Sequence, residues 1–144
     1  MACAMAFDEI REQEEIPPLE IDFSCERNQD YCKFVNEINP LHFDQEYARA
    51  LGYENIVIAG IFTASLFPKV ITDWLGMGAR IERMRVKFEA PAYLNETVTY
   101  RGRVTRKAIE EGVKRLECEV WSESTDGERL ALAAVTLRFL EEEQ

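Results

Sequence analysis

The 144-residue sequence predicts an α+β fold in which an antiparallel β-sheet wraps around a long central α-helix. Three observations predict it. The stretch from Ala59 to Leu75 is apolar almost all round and too long for a strand, as expected of a buried helix. The chain after it alternates apolar and polar residues at the period of a strand. Asp126-Gly127, set between two such runs, suits a tight hairpin turn, so successive strands should run antiparallel.

Met1 to Pro18 shows no sustained period and ends in Pro17-Pro18, which predicts a weakly structured segment 1–18 ahead of one domain, 19–144. Leu19, Ile21, Phe23 and Cys25 alternate as a first strand. Asn28 is then expected to cap a helix whose apolar residues, Tyr31, Phe34, Val35 and Ile38, follow helical spacing. Asn39-Pro40 should stop that helix, because the residue before a proline disfavours helical backbone. Glu37 would then occupy the last turn, with His42 just beyond it. Asp44 and Gly52 suit the two ends of a short helix.

Pro68 removes a hydrogen bond from the central helix and should kink or divide it, and Gly76 and Gly78 should end it. In the strands that follow, Met84, Val86 and Phe88 alternate with Arg83, Arg85 and Lys87. Val98, Tyr100, Gly102 and Val104 share a face opposite Arg101 and Arg103. Leu116, Cys118 and Val120 are set against Lys114, Glu117 and Glu119, and a last strand runs from Arg129 to Leu140.

Composition narrows the function. A formal net charge of −10 argues against general affinity for nucleic acid or an anionic membrane, both of which need clustered positive charge. The apolar run Ile56 to Phe67 falls short of the roughly 20 residues that span a bilayer. Met1 to Glu15 lacks the basic, apolar and small-residue succession of a signal peptide, so a cytoplasmic protein is expected. Cys3, Cys25, Cys32 and Cys118 show no metal-binding spacing, and there is one histidine, so no metal site is expected and the thiols read as reduced and buried.

That histidine stands in Glu37-Ile38-Asn39-Pro40-Leu41-His42-Phe43-Asp44. A carboxylate and an imidazole either side of a turn can hold one water for acid–base work; the alternative is a loop histidine beside a helix cap. Gly60, at a helix start, can present its N–H to a developing oxyanion, or simply permit close packing. Asn39 and Ser65 are candidate substrate-binding groups and Tyr47 a candidate pocket-lining one, although Asn39 also suits the turn and Asp44 a cap. The basic rows Arg83-Arg85-Lys87 and Arg101-Arg103 either hold phosphates or form a solvent face balanced by Glu117 and Glu119. Trp121, outward on its strand, suits a subunit interface or a pocket.

Asn39 through Asp44, then Ala48, Leu51-Gly52, and Gly60 through Thr63-Ala64-Ser65-Leu66, make an ordered set that resembles the MaoC-like hot-dog family. That family includes (R)-specific enoyl-CoA hydratases and 3-hydroxyacyl thioester dehydratases. The resemblance covers roughly Phe23 to Leu140 and implies a hot-dog fold. It puts the family's catalytic histidine on His42, its aspartate on Glu37 and its helix-start glycine on Gly60. Ala59 stands where the family has a histidine, and Pro68 where some hydratases have a serine.

What the resemblance implies is reversible hydration of 2-enoyl thioesters to (3R)-3-hydroxyacyl thioesters. No cofactor is implied, since the substrate is carried by coenzyme A or an acyl carrier protein. A homodimer is implied, with a heterodimer as the alternative. Phe62, Leu66, Val70 and Met77 would set acyl length along the central helix. A non-catalytic acyl-thioester-binding subunit and an acyl-CoA thioesterase are the competing readings.

Overall fold

Ser24, not Asn28, starts the first helix: its side-chain oxygen accepts from the Arg27 N–H at 3.1 Å and sets the helix start at Cys25. The computed structural model describes residues 5–140. Among these, the elements are β1 (Glu15–Asp22), α1 (Cys25–Phe34), α2 (Gln45–Ala50), α3 (Gly60–Ala64), α4 (Phe67–Leu75), β2 (Ala79–Phe88), β3 (Thr97–Glu110), β4 (Val113–Glu123) and β5 (Arg129–Phe139).

The strands form one antiparallel sheet in the order β1-β3-β4-β5-β2, with α4 packed on β1 and β3. Phe67, Val70, Ile71, Trp74 and Leu75 of α4 are buried against Val98, Tyr100 and Val104 of β3 and Leu116, Cys118 and Val120 of β4. The expected sheet-on-helix arrangement is therefore present. Within the core the Tyr100 hydroxyl donates to the Thr63 carbonyl at 2.7 Å, tying sheet to helix, and burial pushes the phenol well above its ordinary range.

The central helix is divided, as Pro68 suggested, but the break precedes the proline. Ser65 closes α3 and Pro68 lies in the first turn of α4, where its missing N–H costs no helical bond. Helical backbone at Ser65 and Leu66 joins the two pieces.

Several boundaries differ from expectation. The segment expected to be weakly structured contributes to the fold: Phe7 and Ile10 are buried, and β1 begins at Glu15. Pro17-Pro18 is accommodated because β1 is an edge strand whose register shifts between Ile16 and Leu19. At the other end of the first helix, Asn36 takes left-handed backbone (φ 54°) and α1 stops at Phe34. Glu37 N–H donates to the Cys32 carbonyl at 2.9 Å and Asn36 N–H to Lys33 at 3.2 Å, the bonding pattern of a Schellman motif. Phe34 and Ile38, expected on a buried face, are 90% and 83% exposed.

The expected burial of the thiols holds only in part: Cys118 is buried and its thiol pushed up to about 12 by desolvation, but Cys25 is exposed and Cys32 half-buried. Cys3 lies outside the described residues. Lys114 shares the inward face of β4 with Leu116 rather than the outward one, and its ammonium sits 5.6 Å from the Phe7 ring centroid. Among the described residues no helix is long and apolar enough to cross a membrane.

Candidate functional site

The loop between α1 and α2 is held by its own side chains. Asn39 Oδ1 accepts from Leu41 N–H at 3.1 Å and begins a 3-10 turn over Pro40–His42. Asp44 Oδ1 accepts from Tyr47 N–H at 3.2 Å and caps α2, and Gly52, just past the Leu51 C-cap, takes φ 97°. The Asn39 amide oxygen is thus committed to the turn rather than offered to a ligand.

His42, half-buried, is fixed at both ring and backbone. Its Nδ1 lies 2.8 Å from the Val57 carbonyl oxygen. A carbonyl can only accept, so Nδ1 carries the proton and the neutral ring has its lone pair on Nε2. The Val57 N–H in turn donates to the Leu41 carbonyl at 3.2 Å. On the other side, the buried Asn28 of α1 donates from Nδ2 to the His42 carbonyl at 2.9 Å.

Glu37 follows directly on the Schellman turn. Its Oε1 accepts from the N–H groups of Ile38 (3.1 Å) and Asn39 (3.0 Å), which orients the carboxylate. Oε2 makes no hydrogen bond among the described residues. Glu37 and His42 converge on Cys32, whose carbonyl receives Glu37 N–H and whose Sγ lies 3.6 Å from the His42 carbonyl oxygen. Burial first, and then the Glu37 charge, raise the Cys32 thiol above its ordinary range; burial, Glu37 and Cys32 do the same to Tyr31. Tyr31 stacks on Phe62 of α3, with ring centroids 4.2 Å apart, so the carboxylate end of the site leans on the start of the central helix.

Gly60 opens α3, where a first-turn N–H has no intrahelical acceptor. A Cβ here would meet the Phe88 ring at 3.1 Å, so the glycine lets the end of β2 close against the helix start. Ser65 is not brought into this group: it is exposed and its hydroxyl donates to the Phe62 carbonyl at 2.6 Å within its own helix. Val70 lies in the core and Met77 is exposed; Phe62 and Leu66 are half-buried, and of these Phe62 reaches the site through its stack on Tyr31.

The two basic rows do not form one patch. Strands β2 and β3 are separated by β4 and β5. Arg103 pairs with Glu119 at 3.1 Å, as the solvent-face reading expects, but Arg101 pairs with Glu123 at 3.1 Å and Glu117 with Arg106 at 3.7 Å. Trp121 donates to the Glu123 carboxylate at 2.8 Å. A concavity of about 900 Å³ lined by Phe7, Arg80, Lys114 and Phe139 lies at the opposite end of β2 from Phe88 and holds none of the candidate residues. Sequence reading missed Asn28, Cys32 and Val57. A polar residue among the apolar positions of α1 was a signal for Asn28; a backbone acceptor such as Val57 leaves none.

An antiparallel sheet packed on a central helix is the architecture of the hot-dog class. An (R)-hydratase from Aeromonas caviae involved in PHA biosynthesis has the same fold, at a TM-score of 0.80 and 20% identity over 91% of this chain and 98% of that one. The family described as the MaoC like domain matches residues 11–126, and the chain belongs to this family. A mitochondrial 3-hydroxyacyl-[acyl-carrier-protein] dehydratase of Arabidopsis thaliana is 34% identical over 76 residues, 53% of this chain and 45% of the relative. The 3-oxo-4,17-pregnadiene-20-carboxyl-CoA hydratase beta subunit of Mycobacterium tuberculosis is 30% identical over 79 residues, 55% of this chain and 60% of the relative. The chain thus spans about half the length of the curated relatives it matches.

Proposed function

We propose that this protein reversibly hydrates 2-enoyl thioesters to (3R)-3-hydroxyacyl thioesters, with Glu37 and His42 acting on one water and Gly60 N–H on the thioester oxygen. The observation that carries the reading is the bond from His42 Nδ1 to the Val57 carbonyl, which leaves Nε2 as a base. Glu37 Oε2 holds the water. The water oxygen adds to Cβ, its proton passes to Nε2, and the imidazolium returns a proton to Cα. Nothing is consumed beyond one water, and the reverse sequence is dehydration. Negative charge grows on the thioester oxygen as Cβ is attacked, and an N–H at a helix start stabilises it.

The substrate is carried as a coenzyme A or acyl carrier protein thioester, and the chemistry calls for no cofactor. Phe34 and Ile38, among the most exposed large apolar residues, flank Glu37. This supports assembly of two chains across the site, as a homodimer.

A second reading is favoured by Ala59 and by the relative that is a beta subunit. In it the chain binds acyl thioester and turns over only beside a different partner chain. Adding the purified protein to an enoyl-CoA separates the two: loss of the enoyl ultraviolet absorbance is expected for the hydratase, and saturable binding without turnover for the subunit.

A further inference from the structure

We propose that Asn28 is a positioning residue for His42, acting through a side-chain clamp on the His42 peptide carbonyl. The inference rests on the reading of His42 as the base.

Asn28 sits inside α1, is 3% exposed, and is the only asparagine of this chain buried to that degree among the described residues. A buried amide is costly unless both ends are paired. Both are. Nδ2 donates to the His42 carbonyl at 2.9 Å, and Oδ1 faces the Cys32 Sγ one helical turn later at 3.9 Å. The carbonyl can only accept, so the amide orientation follows from chemistry. The same Cys32 Sγ also lies 3.6 Å from the His42 carbonyl oxygen, so its single S–H is shared between the two acceptors and Asn28 Nδ2 is the main donor to the carbonyl.

His42 is therefore gripped from two segments. α1 holds the peptide through Asn28 and Cys32, and the strand-like segment at Val57 holds the ring through Nδ1. The 3-10 turn holds the His42 N–H on the Asn39 carbonyl at 3.1 Å but not the His42 carbonyl, so the one hydrogen bond from the ring to Val57 leaves the tilt of that peptide open. The clamp on the carbonyl supplies the second constraint. Asn28 touches neither the ring nitrogens nor any atom of the reacting group, so its loss should slow the chemical step and spare binding.

His42 is the sole histidine, so the imidazole nitrogens give one unambiguous set of signals in a long-range proton–nitrogen NMR spectrum. In the intact protein that spectrum should report a ring protonated at Nδ1 and bare at Nε2. In Asn28→Leu, close in shape but lacking the donor, the two nitrogens should move toward a tautomer average. Alongside, kcat should fall about 10- to 100-fold with KM within about twofold, the scale of a misplacement near 1 Å. Asn28→Ala serves where leucine does not fold. A folded variant with unchanged imidazole signals and unchanged kcat overturns the proposal, as does one that merely melts earlier. So does an Asn28 side-chain amide in the intact protein that exchanges with solvent as fast as that of the exposed Asn36. The NMR arms need no turnover: an inactive intact protein whose imidazole signals shift in Asn28→Leu would refute the hydratase reading while upholding the clamp.

Discussion

His42 donates its Nδ1 proton to the carbonyl oxygen of Val57 across 2.8 Å, and the Val57 N–H closes back on Leu41 at 3.2 Å. This reciprocal pair joins the loop after α1 to the segment that leads into α3. Its consequence is a ring with a defined basic nitrogen, and the first prediction concerns that nitrogen and its partner.

Glu37→Gln retains an oxygen for the Ile38 and Asn39 amides but loses the charge. Glu37→Gln and His42→Ala should each lower kcat/KM at least ~100-fold, the usual scale of a lost acid–base group, while the thermal midpoint stays within a few degrees. Steady-state kinetics with an enoyl thioester, together with thermal melting of each variant, checks this. Near-intact rates in both variants would remove the pair from the mechanism.

Glu37 also acts on Cys32. Burial and the Glu37 charge both disfavour the thiolate, raising the thiol above its ordinary value of 9.0. Removing the charge lowers that value, so more thiolate is present at any given pH and alkylation runs faster. Peptide mass mapping after iodoacetamide treatment should show faster labelling at Cys32 in Glu37→Gln, with the exposed Cys25 as an unchanged reference. Equal rates at Cys32 would show that the carboxylate is not beside it.

Tyr100 gives a pH dependence of stability. Its phenol is held above its ordinary value of 10.0 by burial, so the folded state keeps a proton that the unfolded chain releases. The stabilisation is complete below about pH 10 and is lost as pH rises beyond it. Tyr100→Phe should cost ~1–3 kcal/mol at neutral pH, by leaving the Thr63 carbonyl without its buried donor, and should flatten the alkaline decline. Urea unfolding at neutral and alkaline pH measures both effects; an unchanged alkaline slope would contradict the assignment.

Gly102 tests the packing of β1. A Cβ there would lie 2.9 Å from Ile16 Cδ1 and 3.0 Å from the Glu119 backbone oxygen. Gly102→Ala should destabilise by ~1–3 kcal/mol, because a strand carbonyl cannot step aside as a side chain can. Denaturant titration gives the number, and a neutral substitution would mean that Ile16 of β1 and the Glu119 carbonyl of β4 leave more room than these distances give.

The alternation through Val98, Tyr100, Gly102 and Val104 made the sheet legible, and the unbroken apolar run made the central helix legible, because burial on a fixed face imposes a period. The helix caps were less legible. Asn36 and Asn39 are both turn formers, and only the left-handed backbone at Asn36 decides which one stops α1. The start of the first strand at Glu15 was hidden by Pro17-Pro18, which an edge strand tolerates and a central one does not. The loop that carries Glu37 and His42 between two helices was legible from the order of turn formers and caps in the chain. Asn28 and Val57 were not, since a hydrogen bond across 14 or 15 residues leaves no spacing to read. Whether the two basic rows adjoin was illegible for the same reason: strand order, not sequence order, decides which rows are neighbours.

The most direct test of the central claim is incubation of the intact protein with a 2-enoyl-CoA, followed by mass and chiral analysis of the product. Gain of one water as the (3R)-3-hydroxyacyl thioester is the predicted result. An unchanged enoyl thioester, the (3S) product, or release of free thiol would contradict it.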